Sequence, residues 1–153
     1  MDYKSTLNIH CILVFDFGLS RIGIATANTV SSSASALKTI SATNGNPNWK
    51  NLDNIILEWE PDLLVLGLPY NRDGSESAMI TRMRKFGEKL SARYEIRVEK
   101  IDEYYSSKEA KELLIDSRKK GIRTRRIYKE DVDSIAAKII AERWLEKFNS
   151  LKR

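Results

Sequence analysis

The chain alternates between short continuous apolar runs and longer stretches in which apolar residues recur every three or four positions. Cys11-Ile12-Leu13-Val14-Phe15 is too short for a helix and rich in strand formers, so it reads as a buried strand, ending in Asp16-Phe17-Gly18. Ile22 to Thr26 and Ala36 to Ile40 read as a second and a third strand, with the polar stretch Ser31 to Ser35 between them. Their close spacing predicts an antiparallel meander. The period then changes: Asn46-Pro47 is a helix start signal, and Leu52, Ile55, Ile56 and Trp59 follow on one helical face until Glu60-Pro61 stops it. Leu63 to Leu66 is a second continuous apolar run, closed by Gly67 to Gly74. A helix is predicted from about Glu76 to Arg93, with Met79, Met83, Phe86 and Leu90 on one side. The alternation from Ile96 to Ile101 suggests an outer strand covered on one face, and Ser106 with Glu109 makes a capping box that opens a helix to about Ser117. The last helix runs from about Asp131, its expected N-cap, to Phe148, with Val132, Ile135, Ala136, Ile139 and Ile140 as its apolar face.

Three strands in a meander followed by strand–helix alternation predict an α/β domain, a mixed five-stranded sheet with helices on its faces. No repeat or linker divides the chain, so residues 1–153 are expected to form a single domain with its core at about 10–148. Right-handed crossovers set the fourth and fifth strands parallel to the first. Asp16, Pro69 to Asn71 and Asp102-Glu103 then all follow the ends of parallel strands, on the edge where open α/β sheets hold their ligands.

Composition narrows the chemistry available at that edge. With one cysteine, Cys11, and one histidine, His10, there is no disulfide framework, no Cys/His zinc cluster and no redox pair. A Ser-His-Asp triad would have to use His10, which directly precedes a buried strand. Carboxylates and oxygen-loving metals are left as the instruments. No stretch has the roughly 20 mostly apolar residues of a membrane span, and residues 1–10 lack the apolar core of a signal peptide, so the expected location is the cytoplasm, with no membrane partner.

Three acids stand out. Singly, Asp16 reads equally as a turn aspartate, Glu103 as a solvated loop acid, and Asp133 as a first-turn carboxylate favoured by the helix dipole. Projected together onto one rim, they would raise one another's pKa values or demand a cation between them. Two Mg²⁺ or Mn²⁺ ions about 3.5 to 4 Å apart can activate water and stabilise the leaving oxygen in phosphodiester cleavage without any histidine.

Four segments carry a resemblance. Asp16-Phe17-Gly18-Leu19-Ser20-Arg21-Ile22-Gly23-Ile24-Ala25, Gly67-Leu68-Pro69-Tyr70-Asn71-Arg72-Asp73-Gly74-Ser75-Glu76, Ile101-Asp102-Glu103 and Val132-Asp133-Ser134-Ile135-Ala136-Ala137 resemble, in order, the motifs of the YqgF family, whose members are variously called RuvX, Holliday junction resolvases and pre-16S rRNA nucleases. The resemblance implies a ribonuclease-H-like fold related to RuvC-type resolvases, a metal-dependent endonuclease activity, and metal-binding catalytic acids at Asp16, Glu103 and Asp133. The chain departs from the family pattern at Leu19-Ser20, where Thr-Lys is common, at Asn28, where the family has Asp, and at Tyr104, where it has Arg.

Around these acids, Arg21 is a candidate phosphate ligand or an ion-pair partner, Asn71 stands in a turn that could position substrate, and Tyr104 and Tyr105 are candidates for stacking on a base. Trp49, Trp59 and Trp144 read as packing residues. The segment 118–129 holds seven cations and no acid, and contains Arg123, Arg125 and Arg126 as candidate backbone contacts. It accounts for more than the whole net charge of +5, because the remainder has 19 basic and 21 acidic residues. A polyanionic substrate is therefore expected, precursor ribosomal RNA or branched DNA. A resolvase would call for a homodimer with two sites facing a junction, whereas an RNA nuclease would not. Two other readings stay open: a non-catalytic RNA-binding assembly factor, and nucleotide binding of the actin and sugar-kinase type. The latter closes two such domains over ATP, and 153 residues supply one.

Overall fold

The computed structural model describes residues 8–68, 78–102 and 129–151. Six strands form the sheet: β1 (Cys11–Asp16), β2 (Arg21–Asn28), β3 (Ser33–Thr43), β4 (Asn46–Pro47), β5 (Leu63–Leu68) and β6 (Val98–Asp102), in the order β4-β3-β2-β1-β5-β6. β1 to β4 pair antiparallel, while β5 and β6 run parallel to β1. Three helices complete the described chain: α1 (Trp49–Trp59), α2 (Ala78–Tyr94) and α3 (Lys129–Leu151).

The two continuous apolar runs became the middle of the sheet because both of their faces are covered. Leu13, Phe15, Leu64 and Leu66 pack with Leu52 and Ile55 of α1 and with Ile80, Met83, Phe86 and Leu90 of α2. Ile12, Val14, Leu63 and Val65 pack on the other side against Ala137, Ile140, Ala141, Trp144, Leu145 and Phe148 of α3. A strand buried on both faces loses the polar–apolar alternation that marks a half-exposed one. Trp144 stacks on Phe148 at 5.1 Å and Trp49 lies 6.4 Å from Phe86, so both serve packing as expected.

Several expectations need correction. The sheet has six strands, because Asn46-Pro47 is a short strand and not a helix start. Asn44 and Gly45 both have positive φ, 52° and 84°, and make the two-residue turn between paired residues Thr43 and Asn46. Asn-Gly is the strongest hairpin signal of this kind. α1 begins later and is capped by Asn48, whose side chain accepts from the Asn51 N–H. α3 begins at Lys129, so Asp131 lies within its first turn and is not the N-cap. The stripe of α3 that meets the sheet is Ala137, Ile140, Ala141, Trp144, Leu145 and Phe148, whereas Val132, Ile135, Ala136 and Ile139 form a separate flanking cluster. β6 is covered on both faces, with Val98 packed on the α2 side and Ile101 on the α3 side. The helix expected at 106–117 lies outside the described residues. Among the described residues, no helix is long and apolar enough to cross a membrane.

Candidate active site

The parallel pairing of β1, β5 and β6 brings their C-terminal ends to one edge. Asp16 stands in register with Gly67 of β5, which in turn faces Ile101 of β6, and Asp102 comes one position further along. His10 precedes β1 and therefore lies at the opposite edge, as does Asn28, which ends the antiparallel β2 opposite Cys11. The Asn28 side chain accepts the N–H groups of Val30 and Ser31, which makes it a turn former remote from the rim.

Side chains alternate along a strand, so Asp16 shares its face with Ile12 and Val14, the face that α3 covers. Its two neighbours across the sheet are glycines: Gly23 on β2 and Gly67 on β5. A Cβ at Gly23 would collide with the Asp133 carbonyl, and one at Gly67 would come 2.5 Å from Ile140 Cδ1. The absence of side chains on both sides of Asp16 lets α3 lie directly on the sheet there, and this close approach brings Asp133 near enough to Asp16 for their charges to interact. The carboxyl group of Asp16 is pushed up to about 7, first by burial and second by the negative charge of Asp133.

Arg21 stands two positions from Gly23 on the same strand face and donates from Nε to Asp133 Oδ2 at 2.8 Å. Of the two roles open to Arg21, the structure shows the ion pair. The Arg21 side chain remains 36% exposed and the Asp133 side chain 21%, so the pair sits at the surface of the rim and not in the core.

The site thus joins Asp16, Asp133 and Arg21 from segments far apart in the chain. Glu103, Asn71, Arg123, Arg125, Arg126, Tyr104 and Tyr105 lie outside the described residues. Among the described residues no three potential metal ligands come together. Asp16 and Asp133, near enough for their charges to repel, are hard oxygen donors, and that repulsion is what a divalent cation relieves, so they suit Mg²⁺ or Mn²⁺. The elements missed at the level of sequence are Gly23 and Gly67. Their signal was a glycine inside each of two apolar strands, which marks close approach of another segment.

A mixed sheet of this order, with Asp16 and Asp133 on the rim where its parallel strands end, defines a domain of the ribonuclease-H-like fold. Two solved structures share the fold. One is the Thermus thermophilus RuvC in complex with Holliday junction substrate, with TM-score 0.52 and 12% identity over 94% of this chain and 96% of that one. The other is the yeast mitochondrial Holliday junction resolvase Ydc2, with TM-score 0.54 and 11% identity over 97% of this chain and 85% of that one. Residues 10–147 match the family described as RuvX: Holliday junction resolvase, and the chain belongs to that family. A relative in Saccharophagus degradans is 41% identical over 133 residues, 87% of this chain and 91% of its own. A relative in Hahella chejuensis is 44% identical over 135 residues, 88% of this chain and 83% of its own. Both carry the name "Putative pre-16S rRNA nuclease".

Proposed function

We propose that this chain is a single-domain, divalent-metal-dependent endonuclease that trims the 5′ end of precursor 16S rRNA in the cytoplasm. The observation that carries the reading is the approach of Asp133 to Asp16 on the C-terminal rim, across the two glycines. Support for the RNA substrate comes from the relatives at about 40% identity that carry the rRNA nuclease name.

Asp16 and Asp133 would hold the cation, together with Glu103, which follows Asp102 in the chain. When bound, the metal supplies Lewis-acid stabilisation of charge on the phosphate oxygens. Arg21 acts through Asp133: its Nε–H fixes the carboxylate against the start of α3, and its exposed guanidinium adds positive charge on the rim where a phosphate would lie. Asp16 follows four fully buried residues, Ile12 to Phe15, and that anchorage holds its oxygens in place. The cationic segment 118–129, with Arg123, Arg125 and Arg126, would grip the backbone, and Asn71 would position the strand.

Depletion of the protein in its source organism, followed by mapping of 16S rRNA 5′ ends, tests the substrate. Accumulated precursor is the expected result. Normal ends, together with cleavage of a four-way DNA junction by the purified protein in Mg²⁺ or Mn²⁺, would overturn the RNA assignment in favour of branched DNA, the substrate in the family's description. RNA binding without cleavage of either substrate would favour the non-catalytic assembly factor.

A further inference from the structure

A groove of about 520 Å³ opens between α2 and the turn joining β3 to β4. Arg82, Lys85 and Lys89 line it from α2, and Asn44 and Asn46 line it from the turn. The cations are spaced by three and four residues and so form one helical stripe about 10 Å long, given a rise of about 1.5 Å per residue. All three are exposed, and among the described residues no carboxylate lines the groove and none of the three is paired with an acid. Two are held across it by neutral oxygens, Arg82 Nη1 by the Asn44 carbonyl at 3.3 Å and Lys89 Nζ by Asn46 Oδ1 at 2.9 Å. The fold therefore orients these charges without neutralising them.

The groove adjoins the rim that carries Asp16. β3 runs toward that edge, and its end is fastened to the β1–β2 turn by Ala42 N–H to the Ser20 carbonyl at 2.8 Å and Gly45 N–H to the Leu19 carbonyl at 2.9 Å. Gly45 lies so close on the Phe17 ring that a Cβ there would come 2.7 Å from Cζ. Phe17 is the residue after Asp16, so one turn separates the acid from the groove wall.

We infer that Arg82, Lys85 and Lys89 form a track for the sugar-phosphate backbone of a single nucleic-acid strand leading to Asp16, an inference that rests on the nuclease reading of that site. Each of the three cations is a candidate contact for one phosphate of the strand. The track lies on the face of the sheet covered by α1 and α2, so the strand crosses the rim to reach the carboxylates on the α3 side.

The test is the salt dependence of binding of a labelled single-stranded RNA of about 20 nucleotides, measured by anisotropy in EDTA. Three proteins are compared: the wild type, the variant Arg82→Gln/Lys85→Gln/Lys89→Gln, and a control with equal charge loss elsewhere, Lys38→Gln/Lys50→Gln/Lys147→Gln. Loss of three phosphate contacts should flatten the slope of log K against log salt by about 2. With the lines meeting near 1 M, the groove variant should bind about 100-fold more weakly at 0.1 M salt, and the control should keep the wild-type slope. Melting temperatures within a few degrees of wild type establish that both variants fold. Equal losses in both variants, or a wild-type slope in the groove variant, overturn the track while leaving the nuclease reading intact. Conversion of a dimer to a monomer with an unchanged slope overturns it in favour of a second copy of this chain. Absence of RNA binding by the wild type at any salt concentration defeats the track and, with it, the RNA assignment of the nuclease.

Discussion

Replacing Asp16 with Asn should make the metal-free protein more stable while abolishing its cleavage. Below pH 3.8 Asp16 carries no charge in either state. Between 3.8 and about 7 the unfolded chain ionises it and the folded chain does not, so folding stability is lost progressively as pH rises, and the loss is complete above about 7. At 1.36 kcal/mol per pH unit this amounts to about 4 kcal/mol. Asp16 is only half-buried by its exposure, and solvent lowers the figure to about 2 kcal/mol. Asn matches the carboxylate in shape, carries no charge, and its amide can donate to Asp133 where Asp16 repels it. Thermal unfolding in EDTA at pH 8 should therefore place the variant about 4 to 8 °C above wild type. At pH 5 the gap should shrink to about two-fifths of that. Adding Mg²⁺ at pH 8 should narrow or reverse it, because the wild type alone gains the binding free energy. A variant no more stable than wild type in EDTA at pH 8, or a gap that does not change with pH, would refute the account of Asp16 as a charge that the fold resists until a cation arrives.

Three further outcomes follow from the rim geometry. Gly23→Ala puts a methyl into the Asp133 carbonyl, which is backbone and cannot turn aside, so α3 must lift from β2; urea denaturation should show a loss of about 1 to 3 kcal/mol, accompanied by a fall in cleavage. Arg21→Ala breaks a part-exposed ion pair and should cost less than about 1 kcal/mol in the same assay, yet lower kcat by about 10-fold or more by freeing Asp133, with Arg21→Lys recovering part of the rate. Asp133→Asn should leave the metal-free protein folded but remove most of the rise in Tm that Mg²⁺ gives the wild type, as read by thermal shift at matched Mg²⁺ concentrations.

The runs Cys11 to Phe15 and Leu63 to Leu66 were legible because a strand covered on both faces must be apolar at every position. Asp16 was legible because a carboxylate ending such a run has nowhere to go but the rim. The hairpin at Asn44-Gly45 carried a signal that the proline three residues after Asn44 overrode in the reading, since Pro47 marks a helix start and a strand edge alike. α3 carries two apolar stripes, and periodicity alone ranks neither; the one that includes Trp144 and Phe148 packs with β1 and β5 at the centre of the sheet, and the other forms its own cluster.

The composition and order of the chain were enough to establish a layered α/β domain, to rule out a disulfide framework and a Cys/His zinc cluster, and to send Asp16 and the ends of the parallel strands to a common edge. Those are properties of local periodicity and chain connectivity, which operate over a few residues or one crossover at a time. That Arg21 would find Asp133, 112 residues away, depended on how closely α3 could settle on β2 and β5. Gly23 and Gly67 set that distance, and a missing side chain has meaning only once its neighbour is in place.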